Sequence, residues 1–182
     1  IEAARSNAGT GVEGVNVAMS AFAPFSASRY MVFRLAKIFL EKQVISALAE
    51  TGMYADVEAN YAIFPAEKLN IYITCRPCQV SGLPEDMVPA DPLQALGAVR
   101  SAISASMSSD IDEKALAIYK SVLLSEFKSE IEDPQRIVNL VLARYSLGKD
   151  FVRNYKDKLK SIRAEDVKDV LNTLDAGAKV EY

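Results

Sequence analysis

A chain of 182 residues, half of them hydrophobic and a quarter charged, is long and apolar enough for one domain that buries roughly 70% of the surface its unfolded form exposes, which excludes intrinsic disorder. A net charge of -3 with no basic tract argues against nucleic acid as a partner. The histidine count is zero, which excludes Ser-His and Cys-His nucleophile pairs and every His-containing zinc motif within these residues.

Residues 1–11, "IEAARSNAGTG", are small, polar and aperiodic and read as a flexible lead-in, so the domain is expected over 12–182. The alternation of Val15, Val17, Met19 and Ala21 with polar or small neighbours predicts a strand over about residues 13–23 with one face buried. After Pro24, Ser26 or Ser28 is placed to cap a long helix carrying Met31, Leu35, Ile38, Phe39, Ile45 and Leu48, with Gly52 as its stop. The β-rich runs "YADVEANYAIF" and "KLNIYITCRP", joined through Pro65, Ala66 and Glu67, predict an antiparallel hairpin, and a Pro- and Gly-rich loop follows from Gln79 to Ala90.

The rest reads as helical. Asp91 before Pro92 is an N-cap signal for a helix with the stripe Leu93, Leu96, Val99 and Ile103. Asp110 with Glu113 resembles a capping box ahead of Leu116, Tyr119, Leu123 and Phe127. Asp133 and Pro134 repeat the Asp-Pro device before Ile137, Val138, Val141 and Tyr145, and Gly148 closes that helix, which is expected to pack on the sheet. Shorter helices are expected near 150–161 and 164–174, and "AKVEY" as a last strand returning to the sheet. The βα alternation of a doubly wound fold is missing, so the order predicts an α+β, two-layer domain with a mainly antiparallel sheet packed against several helices. The longest apolar runs, such as "YMVFRLAKIFL", are broken by Arg34 and Lys37 short of the roughly 20 residues of a membrane span. The opening Ile and the lack of a leader suggest a piece of a longer or processed chain.

Cys75 and Cys78 form a Cys-x-x-Cys, but "QVSGLPEDMVP" after it cannot start a helix promptly, as a thioredoxin-type thiolate would need. A closed zinc site needs two more ligands. Alternation puts Ile71, Ile73 and Cys75 on one strand face, so Cys75 reads as a small core residue; an incidental disulfide or a metal contact in a larger assembly are the competing readings. The basic side chains of "RNYKDKLKSIR" read as a solvated helix face behind Phe151, Tyr155, Leu159 and Ile162, with an anion or partner site as the alternative. Glu126 with Glu130, and Glu165 with Asp166, are carboxylate pairs of the kind common on helix surfaces. Arg144 and Tyr145 end their helix as dipole partner and core residue. Tyr54 follows a helix stop and opens a strand, a position from which it faces either the core or a ligand groove.

The order of elements, with "LAETGMYADVEANY" and "SIRAEDVKDVLNTLDAGAKVEY", resembles a lobe of the insulinase- or pitrilysin-like (M16) metallopeptidases, of the LuxS/MPP-like metallohydrolase type, over residues 12–182. In that family similar lobes enclose a substrate chamber, and the first lobe holds zinc through His-x-x-Glu-His and a further Glu. The resemblance therefore implies a non-catalytic, C-terminal-type lobe with no metal or catalytic residue of its own, zinc in a catalytic lobe in the same or a partner chain, and a peptide as substrate. The expectation is a soluble bacterial protein, and the compartment, periplasm or cytoplasm, is left open by the sequence. Active relatives bind substrate through an Arg and a Tyr in a pattern like Leu-Arg-Glu-x-x-Gly-Leu-x-Tyr. Tyr54 is the candidate for the Tyr place, while the Arg place falls on Ala47, Leu48 or Ala49 according to register, and anchoring on Gly52 moves the Tyr place to Ala55. The missing arginine keeps a second reading open, a scaffold or peptide-binding domain without peptidase activity. A redox or metal module on Cys75 and Cys78 is the third.

Overall fold

The computed structural model describes residues 2–3, 14–49, 53–77, 92–148, 150 and 152–181. Apart from Glu2–Ala3, the lead-in lies outside the described residues, as do Gly52, the 79–90 loop and Cys78.

Among the described residues five strands form one sheet in the order β1-β5-β2-β4-β3: β1 (Glu2–Ala3), β2 (Val15–Phe22), β3 (Met53–Ala62), β4 (Lys68–Pro77) and β5 (Ala178–Glu181). All pairings are antiparallel except β1 with β5, so residues expected to be lead-in contribute a short parallel strand. Among the described residues six helices, α1 (Ala27–Leu48), α2 (Pro92–Ser108), α3 (Glu113–Glu132), α4 (Pro134–Leu147), α5 (Tyr155–Ser161) and α6 (Ala164–Asp175), complete the α+β architecture. No helix of the described residues is long and apolar enough to cross a membrane.

Alternation decides the two faces of the sheet. Val15, Val17, Met19 and Ala21 of β2, Leu69, Ile71, Ile73 and Cys75 of β4, and Met53, Val57 and Tyr61 of β3 are buried under the helices. Helix α1 crosses this face. Ser26 caps it, its Oγ accepting from the Arg29 amide at 3.1 Å, and ten of its residues are buried, including the consecutive Met31, Val32 and Phe33. So much burial around one helix marks the centre of the core rather than a surface stripe. The expected Ile45 is exposed and Val44 fills the core instead, because residues 40, 44 and 48 continue the buried line.

Helix α2 buries Val99 and Ile103 of the expected stripe and packs Leu96 partly buried on the core, but Leu93 is exposed. Ala95, Ala102 and Ser106 also face inward, small side chains on the helix that contacts α1. The Asp110 capping box is replaced by Asp112 at the N-cap, with no side-chain cap bond. The Asp-Pro device does operate on α4: Asp133 Oδ1 accepts from the Gln135 and Arg136 amides at 2.9 and 3.4 Å, and Gly148 ends the helix in the left-handed region at φ 62°. Helix α4 packs chiefly on α3 rather than on the sheet, which leaves Val138 and Val141 exposed.

Candidate functional site

The face of the sheet turned away from the helices has no covering layer among the described residues. Tyr54, Asp56, Glu58 and Asn60 of β3 lie on it, opposite Arg76, Thr74, Tyr72 and Asn70 of β4, with Asn16, Ala18 and Ser20 of β2 beyond. Across it Ser20 Oγ donates to Asn70 Oδ1 at 2.7 Å, and Lys68 Nζ sits 4.5 Å from the centre of the Phe22 ring. Tyr54 is 45% exposed and Tyr72 is 42% exposed, so the face mixes open aromatic and polar groups. Strand β3 ends the sheet and pairs only with β4 among the described residues, leaving one row of main-chain groups on the side where a further strand would add.

Tyr54 thus lies on the open face and not in the core. Its cross-strand neighbour is Arg76, which sequence reasoning did not single out as a candidate. The signal was present in outline: registering the two hairpin runs about residues 63–67 sets 54 against 76 and puts Arg76 on the face opposite Cys75. The three Arg places of α1 supply no cation. Ala47 and Ala49 are exposed alanines and Leu48 is buried in the core. Ala55, the alternative Tyr place, is half-buried on the helix side.

The remaining candidates have other partners. Cys75 is fully buried opposite Val15 and Ala55, and burial pushes its thiol up from 9.0 to about 11, the reverse of what a reactive or metal-binding thiolate requires. Glu126 and Glu130 together hold the Arg34 guanidinium, at 2.7 and 3.2 Å. Asp166 Oδ2 accepts from the Arg163 amide at 2.7 Å and so caps α6, while Glu165 is exposed. In the basic cluster Tyr155, Leu159 and Ile162 are buried and Lys156 and Lys160 exposed; Phe151 and the Tyr145 side chain lie outside what is described. Among the described residues no group of three or more His, Cys, Asp or Glu side chains is placed to hold a metal. With no histidine in the chain, the donor set of the family's zinc does not fit here.

No family model and no curated protein sequence matches the chain. Solved structures do. The inactive peptidase domain of a zinc protease from Bordetella parapertussis superposes with a TM-score of 0.66 at 15% identity over 95% of this chain and 91% of that one. The peptidase M16 inactive domain from Pseudomonas fluorescens gives 0.60 at 15% identity, over 92% of this chain and 40% of that one. This chain has the fold of an M16 peptidase lobe. The periplasmic protease PqqL from Escherichia coli gives 0.69 at 14% identity over 92% of this chain, and the chain spans 18% of PqqL's length.

Proposed function

We propose that this chain is a non-catalytic lobe of an M16-type zinc metallopeptidase, forming part of the wall of a chamber in which an extended peptide is held for cleavage by a zinc-bearing lobe not contained in these residues. The observation that carries the reading is the M16-lobe fold in a chain without a zinc donor set. The open β3 edge and the Tyr54–Arg76 row supply what such a wall needs: main-chain groups for strand addition, with an aromatic ring and a cation beside them. Function inferred from a shared fold is an analogy, so the test bears on the site.

In the whole peptidase, Tyr54→Ala and Arg76→Ala are expected to raise KM for a peptide substrate with a smaller change in kcat, because the wall binds substrate without touching the reacting carbonyl. Turnover and KM unchanged in both variants would remove the wall role. A scaffold is the second reading, favoured by the absence of a cation at Ala47, Leu48 and Ala49. It is separated from the first by whether the purified whole protein, with any partner chain, binds zinc and cleaves peptide at all.

A further inference from the structure

The α4–α5 connection builds a feature the chamber reading leaves unused. Between α4 and α5, Asp150 Oδ1 accepts from the Val152 and Arg153 amides at 2.9 and 2.8 Å. These bonds, the Arg153 amide foremost, hold the Asp150 carboxyl below its ordinary range, so it stays ionised and locally engaged. Beside Asp150 lies a half-open pocket of about 340 Å³, walled by Ile137, Leu140, Val141 and Val152 and rimmed by Arg144, Asp150 and Arg153. That volume lies at the lower end of ligand-sized pockets, about 300–1,000 Å³.

The rim carries more positive than negative charge. Arg144 Nε is 3.7 Å from Asp150 Oδ2, a loose ion pair at a side chain 64% exposed, and the exposed Arg153 guanidinium makes no ion pair among the described residues. The one carboxylate on the rim is thus engaged by two backbone amides and by Arg144, and the Arg153 charge is not matched by it. On the wall itself Val141 is open to solvent, 44% exposed, so an apolar group and the surplus cation border the same pocket. An aliphatic side chain would fill the wall, and carboxylates on either side of it would match the planar donors of Arg144 and Arg153.

We propose that this pocket docks a partner polypeptide through an acidic–aliphatic segment of the form Glu-Leu-Glu, the leucine entering between Leu140, Val141 and Val152 and the carboxylates pairing with Arg144 and Arg153. The site is separate from the β3 edge, and its test uses no peptidase activity, so either proposal can fail without the other.

The probe is a synthetic peptide carrying one Glu-Leu-Glu in a serine–glycine frame, titrated into the ¹⁵N-labelled chain and followed by amide NMR shifts. Expected is saturable binding with Kd below about 1 mM and shifts centred on Val141, Arg144, Val152 and Arg153. Lys-Leu-Lys and Glu-Ser-Glu peptides should bind at least about tenfold more weakly. Double reversal, Arg144→Glu with Arg153→Glu, should abolish binding of the acidic peptide and admit Lys-Leu-Lys. The neutral pair Arg144→Gln with Arg153→Gln serves if reversal disturbs the fold, and should weaken Glu-Leu-Glu to the level of Glu-Ser-Glu. No saturable binding to the unmodified chain, equal binding of the serine peptide, or affinity unchanged in either double variant would overturn the proposal.

Discussion

Arg100 of α2 grips Glu181 of β5 through both carboxylate oxygens, Nε donating to Oε1 at 2.9 Å and the terminal Nη2 to Oε2. Glu181 is a buried acidic residue on the helix side of the sheet, opposite Val17, and the arginine ties the last strand to the helical layer. The hydrogen bonds from Arg100 hold the Glu181 carboxyl below its ordinary 4.5. A depressed folded-state pKa contributes stability that is complete above the unfolded value and is lost as pH falls through the folded one. Arg100→Met should therefore lower the urea midpoint at pH 7, and the gap to the parent chain should narrow once the pH drops below about 4. A gap that stays constant from pH 7 to 3 would show that the ion pair adds nothing and the loss is one of packing.

Cys75 should behave as a core atom group. At pH 8, in a Cys78→Ser background, its thiol is expected to resist a thiol reagent in the folded chain and to react promptly once the chain is unfolded in guanidinium, because burial holds it protonated with a pKa of about 11. Cys75→Ser should destabilise by about 1–3 kcal/mol, the cost of burying a hydroxyl among aliphatic side chains, and Cys75→Ala by less than the serine. Rapid labelling of the folded chain would restore a chemical role for this cysteine.

These two positions also show what was legible from residues alone. Alternation in "NIYITC" placed Cys75 correctly because a strand with one buried face has a strict period of two, and the hairpin register followed from a short connection. Helix faces were harder. In α2 the stripe held at Val99 and Ile103 but failed at the exposed Leu93, and it passed over Ala95, Ala102 and Ser106, small inward-facing residues that carry little hydropathy signal. The Tyr54–Arg76 row needs two strands to be seen at once, and the Arg144–Arg153 pocket needs a turn whose geometry depends on Asp150 accepting two amides. Neither is a property of a local window.

Gly177 lets β5 lie against β2. A Cβ built there would stand 2.2 Å from the Ser20 carbonyl oxygen and 3.0 Å from Ala21 Cβ, so the contact is with backbone that cannot swing away. Gly177→Ala should cost about 1–3 kcal/mol by forcing the α6–β5 turn off the sheet. Gly97→Ala, where an added Cβ meets nothing within 4 Å, should instead leave stability equal or slightly raised. Chemical denaturation of the two variants in parallel checks the pair, and equal effects would mean that β5 is less closely docked than described.

Tyr155 presents the opposite case, a polar atom that the fold does not use. Its ring stacks on Phe127 with centroids 3.7 Å apart and planes within 4°, and its hydroxyl is buried without a hydrogen-bond partner among the described residues. Burial accordingly pushes the phenol up to about 12. An unmet buried hydroxyl costs about 1–3 kcal/mol, whereas the stacked ring contributes burial and aromatic contact. Removing the oxygen alone, Tyr155→Phe, should leave the chain as stable or up to about 1 kcal/mol more stable, while Tyr155→Ala should cost about 3–5 kcal/mol through the cavity opened beside Phe127. Urea denaturation distinguishes the two contributions. A Phe variant markedly less stable than the parent would mean that the hydroxyl is satisfied in solution, with the neighbouring Arg34, Glu126 and Glu130 cluster as the place to seek its partner.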